Sequence, residues 1–251
     1  MQPEILYEDK DVLAINKPSG LVVHLSSRAK AHYGASSDEE HTLVDWIMSK
    51  YPEIKEVGEP GKTPTGQIIY RPGIVHRLDR ETSGVMLVAK NQKSFENLKE
   101  QFQKHEIEKT YHAFVNGEIK NEEGVIDRPI GRSSKDFRMW SAQRGARGEM
   151  REAVTNYKVI SRKKINAQGY SFIEVRPKTG RTHQIRVHFK AIHHPLVADS
   201  LYAPSTENSL GFKRLALHSY IVTFKDTKDK SHTVTAPYPE DFEKAIKIFN
   251  F

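Results

Sequence analysis

The chain has 251 residues, 37% hydrophobic and 28% charged, with a formal net charge of +7. That length suffices for one large domain or two small ones with a sizeable core. Cysteine is absent, which excludes a disulfide framework, a thiol nucleophile and thiolate-bound zinc together. No apolar run approaches the roughly 18 residues that span a bilayer, and the opening at Met1-Gln2-Pro3 lacks a basic-then-apolar leader. A cytoplasmic protein without a membrane partner is expected.

In chain order, Ile5–Tyr7 and Val12–Ile15 read as strands, broken by Lys17-Pro18-Ser19-Gly20 and followed by a third, Leu21–Val23. Residues 26–41 are small and polar, a surface excursion. Thr42 is placed to cap a helix carrying Leu43, Trp46, Ile47 and Tyr51, stopped by Pro52. Residues 58–72, with Pro60, Gly61, Pro64 and Gly66, form a second loop. Ile74-Val75 leads into a turn, and Val85–Lys90 is a strand of the buried type. Ser94 starts a helix with Phe95, Leu98 and Phe102, ending near His105. Thr110–Val115, Ala153–Ile160 and Tyr170–Arg176 alternate as strands. Thr182–His193 is helical, with Ile185, Phe189 and Ile192 toward the core. Leu215–Phe224 and His232–Ala236 are late strands, and Pro239–Phe251 a closing helix. Strands in meanders argue for an α+β fold, a single domain over 1–251 around a large, mainly antiparallel or mixed sheet with flanking helices. The loop insertions fall at 26–41, 58–72 and 131–150.

Three segments carry chemistry. Arg128, Arg132, Lys135, Arg138, Arg144, Arg147 and Arg151 crowd one stretch, against Asp127, Asp136 and Glu149, with Phe137 and Trp140 interleaved. A solvated hairpin is the plainer reading; the sharper one is a flexible loop whose guanidinium groups meet phosphates and whose aromatics stack on bases. The second is Asp79, between Arg77 and Arg80 in a turn between apolar strands. Nearby cations favour its charged form. Thr82 and Ser83 can bond the turn backbone, and Gly84 permits a conformation closed to other residues. The plainer reading is an Asx-type turn with solvated charges. The third runs from Lys178 to His188, where a strand ends and a helix opens, a place where free N–H groups attract anions. Arg186 shares a helix face with Thr182 and Lys190. His183 and His188 stand five apart rather than four, without an acidic partner, so no metal site is expected.

His76-Arg77-Leu78-Asp79-x-x-Thr82-Ser83-Gly84, followed by an apolar strand to Ala89-Lys90, resembles the signature of the RluA-type pseudouridine synthases. Lys109-x-Tyr111-x-Ala113-x-Val115 resembles the family's second motif, and Thr179–His188 its third. The likeness extends from Ile5–Asp9 and Asn16–Leu21 at the front to Asp199-x-x-Tyr202 and Leu217-His218 at the back, in order and spacing.

The resemblance implies the synthase fold, a bent sheet with an RNA-binding active-site cleft, and isomerisation of uridine at specific sites in rRNA or tRNA. The base leaves its stack, the carbon–nitrogen glycosidic bond breaks, and the uracil rejoins through its carbon-5. Asp79 is then the nucleophile or a base at the sugar. Tyr111 stacks on the uracil and helps remove the carbon-5 proton, Arg186 pairs with Asp79, and Ile185 forms an apolar wall. Arg181 is a second candidate for the pairing or for a phosphate. Arg77 takes the vacated space or holds a phosphate, and His76, Leu78, Thr82, His183 and Gln184 complete the substrate set with Arg138, Arg144 and Arg147. Neither metal nor organic cofactor is implied, and the protein is expected to be a monomer.

Three departures from the family pattern stand out. The helical RNA-binding module that many members carry is expected to be absent, because the catalytic pattern starts within ten residues of Met1. Leu25-Ser26-Ser27 replaces the Pro-Gly that often follows the position of His24, and Ala198 stands where glycine is usual. An inactive homologue acting in ribosome assembly would share charge and fold but lack part of the Asp–Tyr–Arg set, which this chain retains. A kinase reading of His-Arg-Leu-Asp lacks a glycine-rich phosphate loop before it and Asp-Phe-Gly after it.

Overall fold

The computed structural model describes residues 2–24, 41–62, 66, 68–143, 146–206 and 208–250. The chain separates into two compact units, Met1–Ile107 with Val222–Ala236, and Glu108–Ile221 with Pro237–Phe251.

The first unit contains β1 (Glu4–Glu8), β2 (Val12–Lys17), α1 (Leu43–Lys50), β3 (Gly61–Lys62), β4 (Ile68–Ile69), β5 (Ser83–Ala89) and α2 (Gln92–Gln103). β2 lies between β1 and β5, antiparallel to both, with Val12 opposite Ala89 and Lys17 opposite Gly84. Every residue of β5 is buried, as its unbroken apolar run demands. α2 lays Phe95 and Leu98 against Val12, Ala14, Val85 and Leu87; burying each such side chain contributes about 1.5–3 kcal/mol. Thr42 caps α1 as expected: its hydroxyl accepts the Asp45 N–H while the Asp45 carboxylate accepts the Thr42 N–H. α2 begins two residues before the predicted Ser94, because Asn91 is the cap and Ser94 its reciprocal partner.

Two expectations change here. Leu21–Val23 is not a strand: the carbonyls of Val22 and Val23 accept the N–H groups of Leu43 and Val44 at the start of α1. Residues 58–72 are not all loop, since β3 and β4 pair with Gly61 opposite Ile69. The excursion at 26–41 falls, apart from His41, outside the described residues.

The second unit holds β6 (Glu108–Asn116), β7 (Glu123–Asp127), β8 (Ile130–Arg132), β9 (Trp140–Ser141), β10 (Arg147–Arg151), β11 (Val154–Ile165), β12 (Gln168–Pro177) and α3 (Gln184–Ala191). β13 (Leu217–Lys225) leaves the second unit after Ile221, β14 (Ser231–Thr235) pairs with it, and α4 (Glu240–Ile248) returns to the second. β12 is flanked by β6 and β11, and β11 also pairs with β7, all antiparallel. α3 packs Ile185 and Phe189 on Ala113, Val115, Ile173 and Val175, and α4 packs Phe242 and Ala245 on Phe114 and Phe172. The architecture is α+β, as expected.

The stretch 131–150 departs from the loop expected there. β8, β9 and β10 form a separate three-stranded antiparallel sheet. Its strands are short and rich in glycine and arginine, so they carry little intrinsic strand signal. Contacts from elsewhere order them: Ile130 is buried with Val187 and Tyr202, and Met139 and Trp140 pack on the same cluster.

Candidate active site

Asp79 stands on a turn that leads straight into β5. Its carbonyl accepts the Thr82 N–H at 3.1 Å, Thr82 and Ser83 are buried, and Gly84 has φ +110°. The Lys17–Leu21 turn clamps this one from outside. The ammonium of Lys17, 0% exposed, donates to the carbonyls of Pro18 (2.9 Å), Leu21 (2.9 Å) and Arg80 (3.0 Å). Ser19 donates to the Glu81 carbonyl at 2.8 Å, the Gly20 N–H bonds the Arg80 carbonyl, and Arg80 Nε returns to the Gly20 carbonyl. Asp79 itself is half-buried, Leu78 buried and Arg77 exposed. His76 is occupied within the unit: its Nε2 accepts the Leu87 N–H at 2.8 Å, in place of a strand carbonyl, and its ring stacks on Phe102. The segment before it runs close against β5, which requires Gly73: at φ +65° an added Cβ would lie 2.2 Å from the Ala89 carbonyl oxygen.

In the second unit, Tyr111 is half-buried on β6 and packs on the cluster to which Ile185 of α3 also belongs. Arg186 is buried. Its Nε and Nη2 hold both carboxylate oxygens of Asp199 at 2.8 Å, and its guanidinium carbon lies 4.9 Å from the centre of the Tyr202 ring. Asp199, 0% exposed, also accepts the N–H groups of Leu201 and Tyr202, so one carboxylate fixes both the arginine and the turn. The helix start is strained: His183 sits in the left-handed region, at φ +55°, with Nδ1 3.0 Å from the Tyr202 hydroxyl. Gln184 is buried and structural in its contacts, accepting from Thr179 and the Arg181 N–H and donating to Val154 and Thr155. Arg181 donates to the Glu152 carbonyl. Burial pushes Lys109, two residues from Tyr111, below the usual lysine range.

The sequence model of the RNA pseudouridylate synthase family matches residues 11–191. The chain belongs to this family. The RNA pseudouridine synthase YlyB of Bacillus subtilis is 36% identical over 248 residues, covering 98% of this chain and 73% of that protein. Ribosomal large subunit pseudouridine synthase D of Zymomonas mobilis is 35% identical over 252 residues, covering 98% and 72%. The solved structure of human RNA pseudouridylate synthase domain containing 1 shares the fold, with a TM-score of 0.73 at 23% identity over 95% of this chain and 84% of that one. RNA pseudouridine synthases are isomerases, and the α+β architecture here is theirs.

Of the basic residues expected to meet RNA in this synthase, Arg138 is exposed and bonded through Nε and Nη2 to Asp136, whose carboxyl it holds below the usual range. Arg147 is exposed on β10, and Arg144 lies outside the described residues. Arg132 covers the Trp140 ring at 4.2 Å, and Phe137 is 63% exposed. Two participants escaped the motif reading, Lys17 as the clamp of the Asp79 turn and Asp199 as the bidentate partner of Arg186. Both stood inside recognised motifs, but nothing local in the sequence marks them as buried charges. Among the described residues no cluster of His, Asp and Glu is arranged to hold a metal, and no helix is long and apolar enough to cross a membrane.

Proposed function

We propose that the protein isomerises uridine in a ribosomal or transfer RNA, as a cytoplasmic monomer, with 1–251 acting as one catalytic module. Asp79 is the carboxylate that attacks the sugar or takes a proton from it. Tyr111 stacks on the uracil, with Ile185 as apolar wall, and assists loss of the carbon-5 proton. Arg186, oriented by Asp199, keeps Asp79 ionised. Arg77, Leu78, Thr82, Arg181 and His183 contact the flipped nucleotide and its strand, and Arg138, Arg144 and Arg147 hold flanking phosphates. His76 and Gln184 support the same set through the bonds they make to the backbone. Atoms are only rearranged within one nucleotide, so the chemistry calls for no electron carrier and no external reagent.

The observation that carries the reading is the bracing of the Asp79 turn. A buried ammonium on the Arg80 carbonyl and a serine hydroxyl on the next one, Glu81, fit a carboxylate that must hold one position during reaction. Asp79→Asn should abolish tritium release from carbon-5-labelled uridine RNA, with thermal stability and RNA affinity near wild type. Activity within about tenfold of wild type, a barrier change of only ~1.4 kcal/mol, would remove Asp79 from the centre of the mechanism.

A further inference from the structure

Across the small sheet the register sets three residues side by side: Arg147 on β10, Arg132 on β8 and Trp140 on β9. With strands about 5 Å apart, two guanidinium groups and an indole share a row about 10 Å wide. Two positions back along β8, Ile130 is buried against Val187 and Tyr202, and Trp140 packs on that cluster. The row is therefore the open end of a face whose other end is core.

This row is short of negative charge. Residues 128–151 include two acids, Asp136 and Glu149. Arg138 holds Asp136 at 2.7 Å, and Arg151 holds Glu149 at 3.3 Å. Arg132 and Arg147 are both exposed, and among the described residues no carboxylate pairs with either. Like charges directly opposite each other on paired strands are destabilising, an arrangement that a bound anion relieves.

Arg132 is also held in place. Its Cζ lies over the Trp140 ring, 4.2 Å from the centre, and its Nη1 donates to the Phe137 carbonyl at 3.3 Å. With the indole beneath it, the guanidinium offers solvent a flat, cationic surface. Phe137, whose carbonyl anchors it, is 63% exposed. The turn that carries both is braced within itself: the Ser133 hydroxyl accepts the Lys135 N–H, Met139 donates to the Asp136 carbonyl, and Ser133 donates to the Met139 carbonyl. Surfaces built before the ligand arrives cost little to order on binding.

A ligand that fits brings negative charge for the paired arginines and a flat face for the guanidinium and the phenyl ring. An unpaired nucleotide has both. A duplex offers phosphates but keeps its base faces stacked, and an acidic peptide brings charge without the flat face. We propose that Arg132, Arg147, Trp140 and Phe137 form a binding site for one unpaired nucleotide of the substrate RNA, outside the target uridine. The base stacks on the Arg132 guanidinium, which Trp140 backs, with Phe137 beside it, and the phosphate meets Arg147. The assignment rests on the reading of the protein as an RNA-modifying enzyme and deepens it. It names the substrate class, an RNA with single-stranded nucleotides flanking the target, and adds Arg132 to the residues that meet it.

The test uses the full chain carrying Trp46→Phe, which leaves Trp140 as the only tryptophan. A stem-loop RNA with unpaired nucleotides beside its uridine should quench Trp140 emission to saturation. The same RNA with those nucleotides annealed to a complement, or heparin, should bind with little quenching. Arg132→Gln and Arg147→Gln should each weaken RNA binding about tenfold and lower the log–log salt slope by about one. Arg132→Lys should restore the slope but not the quenching, because an ammonium has no plane to stack on. Unchanged Trp140 emission at saturating RNA overturns the site, as do equal quenching by heparin or the annealed RNA, and unchanged affinity and slope in both glutamine variants. If tritium release is normal in those cases, the synthase reading stands without it. A protein that neither binds RNA nor releases tritium overturns both readings.

Discussion

Replacing Lys17 by methionine keeps the length and apolar stem of the side chain but removes the ammonium that three carbonyls share. The contacts at 2.9, 2.9 and 3.0 Å use all three hydrogens of a group with no exposure to water. A charge-assisted bond contributes about 1.5–3 kcal/mol, so three represent roughly 5–9 kcal/mol. Methionine no longer has to bury a charge, which offsets several kcal/mol of that loss. The expected net cost is about 3 kcal/mol, roughly 6–12 °C in Tm for a chain of this size. The functional effect is more selective. One of the three carbonyls belongs to Arg80, the residue after Asp79, so releasing it lets the carboxylate move. A displacement of about 1 Å from a reactive geometry costs on the order of 100-fold in rate. Thermal unfolding should therefore report the lower Tm. Single-turnover tritium release, at a temperature where the variant is folded, should show kcat falling about 100-fold with RNA affinity within a few-fold of wild type. A Tm within 2 °C of wild type, or a loss confined to affinity, would show that the ammonium braces nothing that catalysis uses.

Asp199→Asn removes the buried carboxylate that holds the Arg186 guanidinium at two points and should destabilise the protein by about 3–5 kcal/mol in urea unfolding. Adding Arg186→Met should recover part of that loss, and purely additive costs would mean that the pair is not coupled. Burial pushes both His24 and His112 down to about 4, helped by Arg77 and Arg71 for the first and by His218 for the second. Unfolded histidine titrates near 6.5, so the unfolded chain binds more protons between these values: stability is full above about 6.5 and falls as the pH drops toward 4, by up to about 3 kcal/mol for each ring. Urea midpoints at pH 7, 5.5 and 4 check this, and a flat profile in His24→Gln/His112→Gln beside a falling wild type assigns it. Neutralising Arg138, Arg144 and Arg147 together should weaken RNA binding and flatten its salt dependence by roughly one slope unit per lost phosphate contact. Unchanged binding from low to moderate salt would place the RNA surface elsewhere.

The parts of the fold that were legible are those with local causes. The apolar run of β5, the spacing of Ile185 and Phe189, and the Thr42 cap each act within a turn or a strand of where they are written. Leu21–Val23 looks like a strand because it is apolar and branched, yet its carbonyls serve a helix twenty residues on. The sheet of β8, β9 and β10 was invisible for the opposite reason. Arg147-Gly148-Glu149-Met150-Arg151 is exposed at every position, so no alternation of polarity is imposed on it. At the site, the motifs identify Asp79, Tyr111 and Arg186 as residues to watch. They do not separate polar side chains that face a ligand from those that bond their own backbone. His76 and Gln184 are of the second kind, and only their hydrogen bonds reveal it. Asp199 stands thirteen residues from Arg186, beyond any helical period.

Tyr202 gives the second unit a mechanical linkage. Its hydroxyl accepts the N–H of Trp140 on β9 and meets His183, while its ring lies against Arg186 and Lys190. The arginine-rich sheet and the helix that carries Arg186 thus hang from opposite ends of one rigid phenol. A transplant of residues 128–151 from a relative, made to redirect the enzyme to another RNA, would have to bring along a strand that presents an N–H to this oxygen. Without it the graft would keep the bonds of Arg128 to Ala153 and Ala191 but lose its fastening at β9, and strain in β9 would no longer reach the arginine.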